Sequence, residues 1–274
     1  MTGTDEAMDS LLKHLEENYK VSLETGEQVN FLKRTLTKED GKTKVQMSSK
    51  YLDGLVTLFG GIKLKRALGE WVIDEELITN EDDISRYRSG VGTLLYLAGD
   101  RPDIQYHTKE LASKLSSPTK GAMSTLLNVM GYLLYRKDIH VVMDGNDPLR
   151  SFRTRARGLT SVPEYAENKQ CWLLEVATDS DWSGNRSSRS STSSGCVFVG
   201  GNWVYSYSRT QRNITLSSTE FEYVALVSGA SEGQLLKAVL EHLVGPYVEM
   251  KLHADNTSAI AIASKEGVVQ DQAP

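Results

Sequence analysis

Long apolar runs are missing from this 274-residue chain. No stretch of about 18 apolar residues occurs, so no membrane-spanning helix is expected. The opening Met-Thr-Gly-Thr-Asp-Glu-Ala has neither the basic region nor the apolar segment of a secretory signal. The expected setting is therefore intracellular, cytoplasmic or nuclear, and not secreted. Cysteine is scarce: Cys171 and Cys196 cannot by themselves make a disulfide framework or a zinc site. The five histidines, His14, His107, His140, His242 and His253, lack metal-ligand spacing. No glycine-rich phosphate loop is present, because Gly60-Gly61 and Gly200-Gly201 read as turns, and the serines at 187–194 have no His/Asp partners for nucleophilic catalysis. A net charge of −5 argues against a whole surface that binds nucleic acid by charge alone.

What is present fits a globular protein with material for two domains: 39% hydrophobic and 24% charged residues. The reading divides the chain into residues 1–145, a linker at 146–170 and a second domain at 171–274. The first part is mostly helical. Leu11, Leu12, Leu15 and Tyr19 have helix spacing. Asp40-Gly41 marks a hairpin between Val29–Leu36 and Lys44–Met47. A stripe from Tyr51 to Phe59 stops at Gly60-Gly61, and further helices are expected over 84–99, 104–115 and 125–135. The linker carries Asp147-Pro148, Arg150, Arg153, Arg155, Arg157 and Pro163.

After it the period becomes two. Trp172–Thr178, Gly195–Val199 and Trp203–Ser208 read as strands, the last two joined by a turn at Gly200-Gly201-Asn202. A helix then starts with Ser217 as N-cap and Glu220 three residues on, a capping box, with Leu216 and Phe221 placed as a hydrophobic staple. It is expected to run to Leu243 with a break or bend near Gly229 or Gly233. Val248–Ala254 is a fourth strand, and Asn256 caps a last helix over 257–265, closed by Gly267. The fold class is mixed α/β. The first three strands are expected as antiparallel neighbours, the fourth beside the first, and the Ser217 helix across them.

Carboxylates mark the ends of these elements: Asp179 and Asp181, Glu220 and Glu222, and Asp255. Acids from separate elements, without Cys or His partners, suit a divalent oxygen-loving ion such as Mg²⁺ or Mn²⁺. Two such ions can drive phosphodiester hydrolysis. Between Trp182 and Thr219 no acid occurs, while Arg186, Arg189, Arg209 and Arg212 do. That stretch is either a solvated Ser-rich loop or a face for a phosphate backbone.

Four blocks, Thr178-Asp-Ser-Asp-Trp-Ser-Gly, Arg189-Ser-Ser-Thr-Ser-Ser-Gly, Ser217-Ser-Thr-Glu-Phe-Glu-Tyr-Val-Ala-Leu and Asp255-Asn-Thr-Ser-Ala-Ile, resemble the ribonuclease H domain of copia-type retrotransposon Pol polyproteins. Upstream, Tyr87-Arg-Ser-Gly-Val-Gly-Thr-Leu-Leu-Tyr-Leu-Ala and Arg101-Pro-Asp-Ile look like the segment between polymerase palm and nuclease in that family. The resemblance implies a ribonuclease H-like mixed sheet with flanking helices, preceded by a reverse transcriptase thumb- or connection-like region, in a chain truncated at both ends. It implies Asp179, Glu222 and Asp255 as catalytic metal ligands for Mg²⁺ or Mn²⁺. The expected partners are an RNA–DNA hybrid or other nucleic acid and the remaining Pol segments, with no membrane. Asp181 takes an outer or turn role, and His253 a structural one.

The departures set a second expectation. Asp82-Asp83 sits in a polar helix start, so no polymerase aspartate pair is present. The family's fourth nuclease acid and its His have no match, and Asp271 lies in the tail. Two function classes follow: a ribonuclease H-type endonuclease cutting the RNA strand of hybrids, or a catalytically inactive remnant that binds nucleic acid or a polyprotein partner. For this chain the expectation is weak binding of one ion and little cleavage.

Overall fold

The computed structural model describes residues 5–21, 24–144, 172–181, 190–211, 217–244 and 248–264. The expected linker, the staple residue Leu216, Trp182, Gly267 and Asp271 lie outside them.

Two four-stranded sheets organise the chain. The first is antiparallel in the order β1 (Gln28–Phe31), β2 (Arg34–Glu39), β3 (Lys42–Met47), β4 (Val141–Asp144). Asp40 and Gly41 both take positive φ, 50° and 73°, as a two-residue hairpin turn requires. The sequence reading treated Val29–Leu36 as one arm of this hairpin. The structure corrects it: the chain reverses at Leu32-Lys33, also at positive φ, 46° and 63°. Neither residue carries the Gly or Asn signature that announces such a turn. β4 was not expected either, being four residues long and paired with β3 across nearly a hundred residues, Val45 opposite Val141.

Helices α1 (Asp5–Asn18), α2 (Ser49–Phe59), α3 (Glu81–Leu97), α4 (Gln105–Ser113) and α5 (Lys120–Tyr135) accompany this sheet. α2 stops where Gly60 takes φ 65°. Asn80 opens α3 by accepting from the backbone N–H of Asp82 and Asp83. That cap, with three acids in the first turn, fits the positive end of the helix dipole. α5 starts five residues before the apolar stripe implies, because Thr119 caps it through Ala122 N at 3.1 Å. Tyr87, Val91, Leu94, Leu111, Leu126 and Met130 are fully buried where these helices meet. Between α3 and α4 the buried Arg101 grips Asp103 through Nε and Nη2 and donates to the Arg136 carbonyl, which fixes the reversal.

The second sheet has the order β7-β6-β5-β8, formed by β5 (Trp172–Asp181), β6 (Thr192–Val199), β7 (Asn202–Thr210) and β8 (Val248–His253). β5 and β6, and β6 and β7, are antiparallel. β5 and β8 are parallel, so the fourth strand lies beside the first. The crossover into β8 uses α6 (Ser218–Val244), and α7 (Thr257–Ala263) follows. Leu174, Val176, Val197 and Val248 form the buried centre, with Leu236 and Leu240 of α6 packed on it.

α6 is continuous, which corrects the expected break. A Cβ at Gly229 would stand 2.2 Å from Thr178 Cγ2, and one at Gly233 would stand 2.7 Å from Met250 Sδ. The two glycines let helix and strands approach closely; they do not interrupt the helix. The second sheet is tied to α4 and to the first sheet: Gln105 Nε2 of α4 donates to the Ser206 carbonyl at 3.1 Å and Lys109 Nζ to Thr192 Oγ1 at 2.7 Å, while Asn202 of β7 and Asp144 of β4 exchange hydrogen bonds. Among the described residues, no helix is long and apolar enough to cross a membrane.

Candidate metal centre

Asp179 stands near the end of β5, opposite Ser194 of β6. Its Oδ1 accepts from Ser180 N at 2.8 Å, and its carbonyl accepts from Ser194 Oγ at 3.3 Å. The exposed carboxylate is thereby held at the sheet edge.

Glu222 lies in the second turn of α6 and is only 8% exposed. Burial pushes its carboxyl above the ordinary range, and the negative charges of Asp179 and Asp255 push it further. The nearby Ser180 hydroxyl works in the opposite direction. It does so by proximity, since Ser180 Oγ is buried and makes no hydrogen bond of full geometry. Glu220 is exposed and belongs to the helix start, where its backbone N–H donates to Ser217 Oγ at 3.2 Å.

Asp255 follows β8 and is exposed. Capping of α7 falls to its neighbour Asn256, whose Oδ1 accepts from Ala259 N at 2.9 Å. Asp255 is thus not needed as a cap.

The structure brings these three acids together: one carboxylate oxygen from each of Asp179, Glu222 and Asp255 lies within 4.8 Å of the others. Oxygens sharing one Mg²⁺ at about 2.1 Å are at most about 4.2 Å apart. Three oxygens that far from one another lie about 2.8 Å from a common centre, so closing the cluster on one ion at about 2.1 Å takes shifts of up to about 0.7 Å per side chain. Three hard, anionic oxygen donors with no sulfur or imidazole select Mg²⁺, Mn²⁺ or Ca²⁺ over softer metals. By donor type and by spacing, the residues fit a divalent ion.

The other expected site residues are placed differently. Asp181 is exposed and sits opposite Thr192. With Asp179 it opens a groove of about 580 Å³ that passes Thr192 and Ser194 and ends at Gln105 and Tyr106 of α4. His253 Nε2 is 2.9 Å from Oε1 of the buried Glu175, a structural pairing. Arg209 lies over the Tyr207 ring and binds Glu232 of α6 and the Tyr205 hydroxyl. Its guanidinium is thus committed to the protein. Arg186, Arg189 and Arg212 lie outside the described residues. Asp82 and Asp83 occupy the capped first turn of α3. The sequence reading missed the supporting hydroxyls of Ser180 and Ser194. Their only signal was an alternation with Asp179 and Gly195 that any polar strand could show.

A mixed α/β protein that gathers three carboxylates from a strand, a helix and a strand end defines the class. No family model and no solved structure matches the chain. It is 27% identical over 165 residues to the retrovirus-related Pol polyprotein from transposon RE1 of Arabidopsis thaliana, covering 60% of this chain and 10% of that protein. It is 25% identical over 207 residues to the corresponding polyprotein from transposon TNT 1-94 of Nicotiana tabacum, covering 75% of this chain and 14% of that one. It is also 31% identical over 147 residues to secreted RxLR effector protein 161 of Plasmopara viticola, covering 53% of this chain and 87% of that protein. The chain is thus similar to part of several retrovirus-related Pol polyproteins of copia-type transposons. It spans about a tenth of the length of the RE1 polyprotein.

Proposed function

We propose that residues 171–274 are a ribonuclease H-like module whose retained property is binding of a divalent ion, and that the chemistry it serves is hydrolysis of the RNA strand of an RNA–DNA hybrid. The observation that carries this reading is the convergence of Asp179, Glu222 and Asp255 within 4.8 Å. They meet at the edge of a sheet whose first and fourth strands are parallel neighbours. The Pol relatives support the same reading. Residues 1–145 would then be the reverse transcriptase C-terminal, thumb- or connection-like part. The partners would be nucleic acid and other Pol segments, in the cytoplasm or nucleus.

In this mechanism Asp179 and Asp255 present exposed oxygens to the ion, and Glu222 supplies the buried third. Divalent ions bound there would polarise the scissile phosphate and lower the pKa of an attacking water. The protein's part is positional. Ser180 N and Ser194 Oγ hold Asp179 in place, and the groove beside Asp181 would lie along the sugar whose 2′-hydroxyl distinguishes RNA from DNA.

Among the described residues the cluster contains three carboxylates. A two-ion site draws on more protein ligands than that, so one ion bound weakly and slow cleavage are expected. This observation also favours the second reading, an inactive remnant that keeps the ion site. The test is Mn²⁺ titration together with a hybrid-cleavage assay in Mg²⁺ and Mn²⁺, on wild type and Asp179→Asn. One Mn²⁺ bound by wild type and lost in the variant is the expected result. No Mn²⁺ binding by wild type would sink the proposal, and fast Mg²⁺-dependent cleavage abolished in Asp179→Asn would refute the slow-turnover part.

A further inference from the structure

Gln211 directly follows β7 and is buried, 7% exposed. Its Nε2 donates to Ser193 Oγ at 2.9 Å and to the Phe221 carbonyl at 2.9 Å. Its backbone N–H donates to the Ser191 carbonyl at 2.8 Å. One side chain therefore ties the start of β6 to the first turns of α6. Both anchor points adjoin the acids. Phe221 is bonded directly to Glu222, and Ser193 is paired across β5–β6 with Ser180, the residue after Asp179.

We infer that Gln211 is a positioning residue for the metal centre, setting the distance between Glu222 on α6 and Asp179 on β5. The inference rests on the reading of the three acids as a metal site. A general stabiliser could bond anywhere along the helix. Gln211 instead holds the peptide unit that carries Glu222, and its other arm holds the strand beside Asp179. Glu222 gains nothing by approaching two like charges unaided, so some fixed contact must keep it there. Groups that orient metal ligands in this indirect way typically contribute 10- to 100-fold in affinity.

Gln211→Met keeps most of the side-chain volume and removes both donated bonds. Ser193→Ala removes one arm alone. Mn²⁺ affinity is measured by titration, and folding of each variant by near-UV circular dichroism and thermal melting. The expected result is Mn²⁺ affinity weakened about 10-fold or more in folded Gln211→Met, with a smaller loss in Ser193→Ala. A lower melting temperature with unchanged Mn²⁺ affinity would show a merely structural residue and overturn the inference. If Gln211→Met does not fold, Ser193→Ala decides: weakened Mn²⁺ binding supports the inference, and unchanged binding overturns it. Absence of Mn²⁺ binding by wild type would bring down the metal reading and this inference together. Binding by wild type that neither variant alters would bring down the inference alone.

Discussion

Replacing Glu222 by Gln removes one negative charge from the cluster with little change of shape, and the consequence depends on whether a cation is present. Without one, Glu222 sits buried within 4.8 Å of two other carboxylates. Unit charges at that spacing repel by about 1 kcal/mol at the dielectric of water and about 3.5 kcal/mol at an effective dielectric of 20. Asp179 and Asp255 are exposed, so solvent screening places each pair near the lower figure. Glu222→Gln should therefore raise the unfolding free energy in EDTA by about 1–2 kcal/mol at neutral pH. With Mn²⁺ the order reverses. Wild type gains about 2.7 kcal/mol when free ion is 100 times its Kd, while the variant gains little. The assay is urea denaturation at neutral pH, with EDTA and with Mn²⁺.

The pH dependence follows with a definite sign. The folded-state pKa of Glu222 lies above its ordinary value, so ionisation costs more in the folded chain than in the unfolded one. In EDTA its contribution should be neutral below the ordinary carboxylate range. It should become destabilising as pH rises through the window between the unfolded and folded pKa values, and stay constant above it. Glu222→Gln should lack that slope. A variant less stable than wild type in EDTA, or one with the same Mn²⁺ gain, would refute the placement of Glu222 against the other two acids.

Outcomes for four further variants are expected. Ser217→Ala should cost about 1 kcal/mol in chemical denaturation through loss of its bond from Glu220 N, whereas Glu220→Ala should leave Mn²⁺ affinity unchanged by titration. Asn256→Ala should cost about 1 kcal/mol and also weaken Mn²⁺ binding, because the cap fixes the backbone next to Asp255. Gly229→Ala should destabilise by about 1–3 kcal/mol through overpacking against Thr178, read as a lower urea midpoint.

The second sheet was legible because each of its signals was local and redundant. Alternation from Trp172 to Thr178 gave β5, Gly200-Gly201 gave the turn between β6 and β7, and Ser217 gave the helix start. Of the first sheet, the hairpin turn at Asp40-Gly41 was legible and the rest was not. The reversal at Leu32-Lys33 uses residues with no turn preference, held by the ladders of Arg34 to Met47 and Phe31 to Arg34. The pairing of β3 with Val141–Asp144 is a tertiary event that no local pattern records. Gly229 and Gly233 were read as sites of a break or bend, and the helix runs through both without a break. Their role depends on how near Thr178 and Met250 come, and spacing along the chain does not encode that. For the acids, the convergence of Asp179, Glu222 and Asp255 was legible, and so was the placing of Glu220 at the helix start, apart from them. Arg209 was not, because its partner Glu232 lies on the far part of α6 and is joined to it only by folding.

Why the three carboxylates meet at all is a matter of chain direction. β5 and β8 are parallel, so their C-terminal ends reach the same edge of the sheet. β7, reached from β5 through two antiparallel steps, ends at that edge too, and α6 must start there before running back to β8. Asp179 near the end of β5, Glu222 near the start of α6 and Asp255 just after β8 are thus delivered to one place by topology. The dipole of α6 is positive at its start and favours negative charge nearby, which offsets part of the repulsion among the acids before any cation binds. Topology sets the neighbourhood to within a residue or two. The last ångström is set by the contacts that hold α6 against β5 and β6: the missing Cβ at Gly229 and the two-armed bond of Gln211.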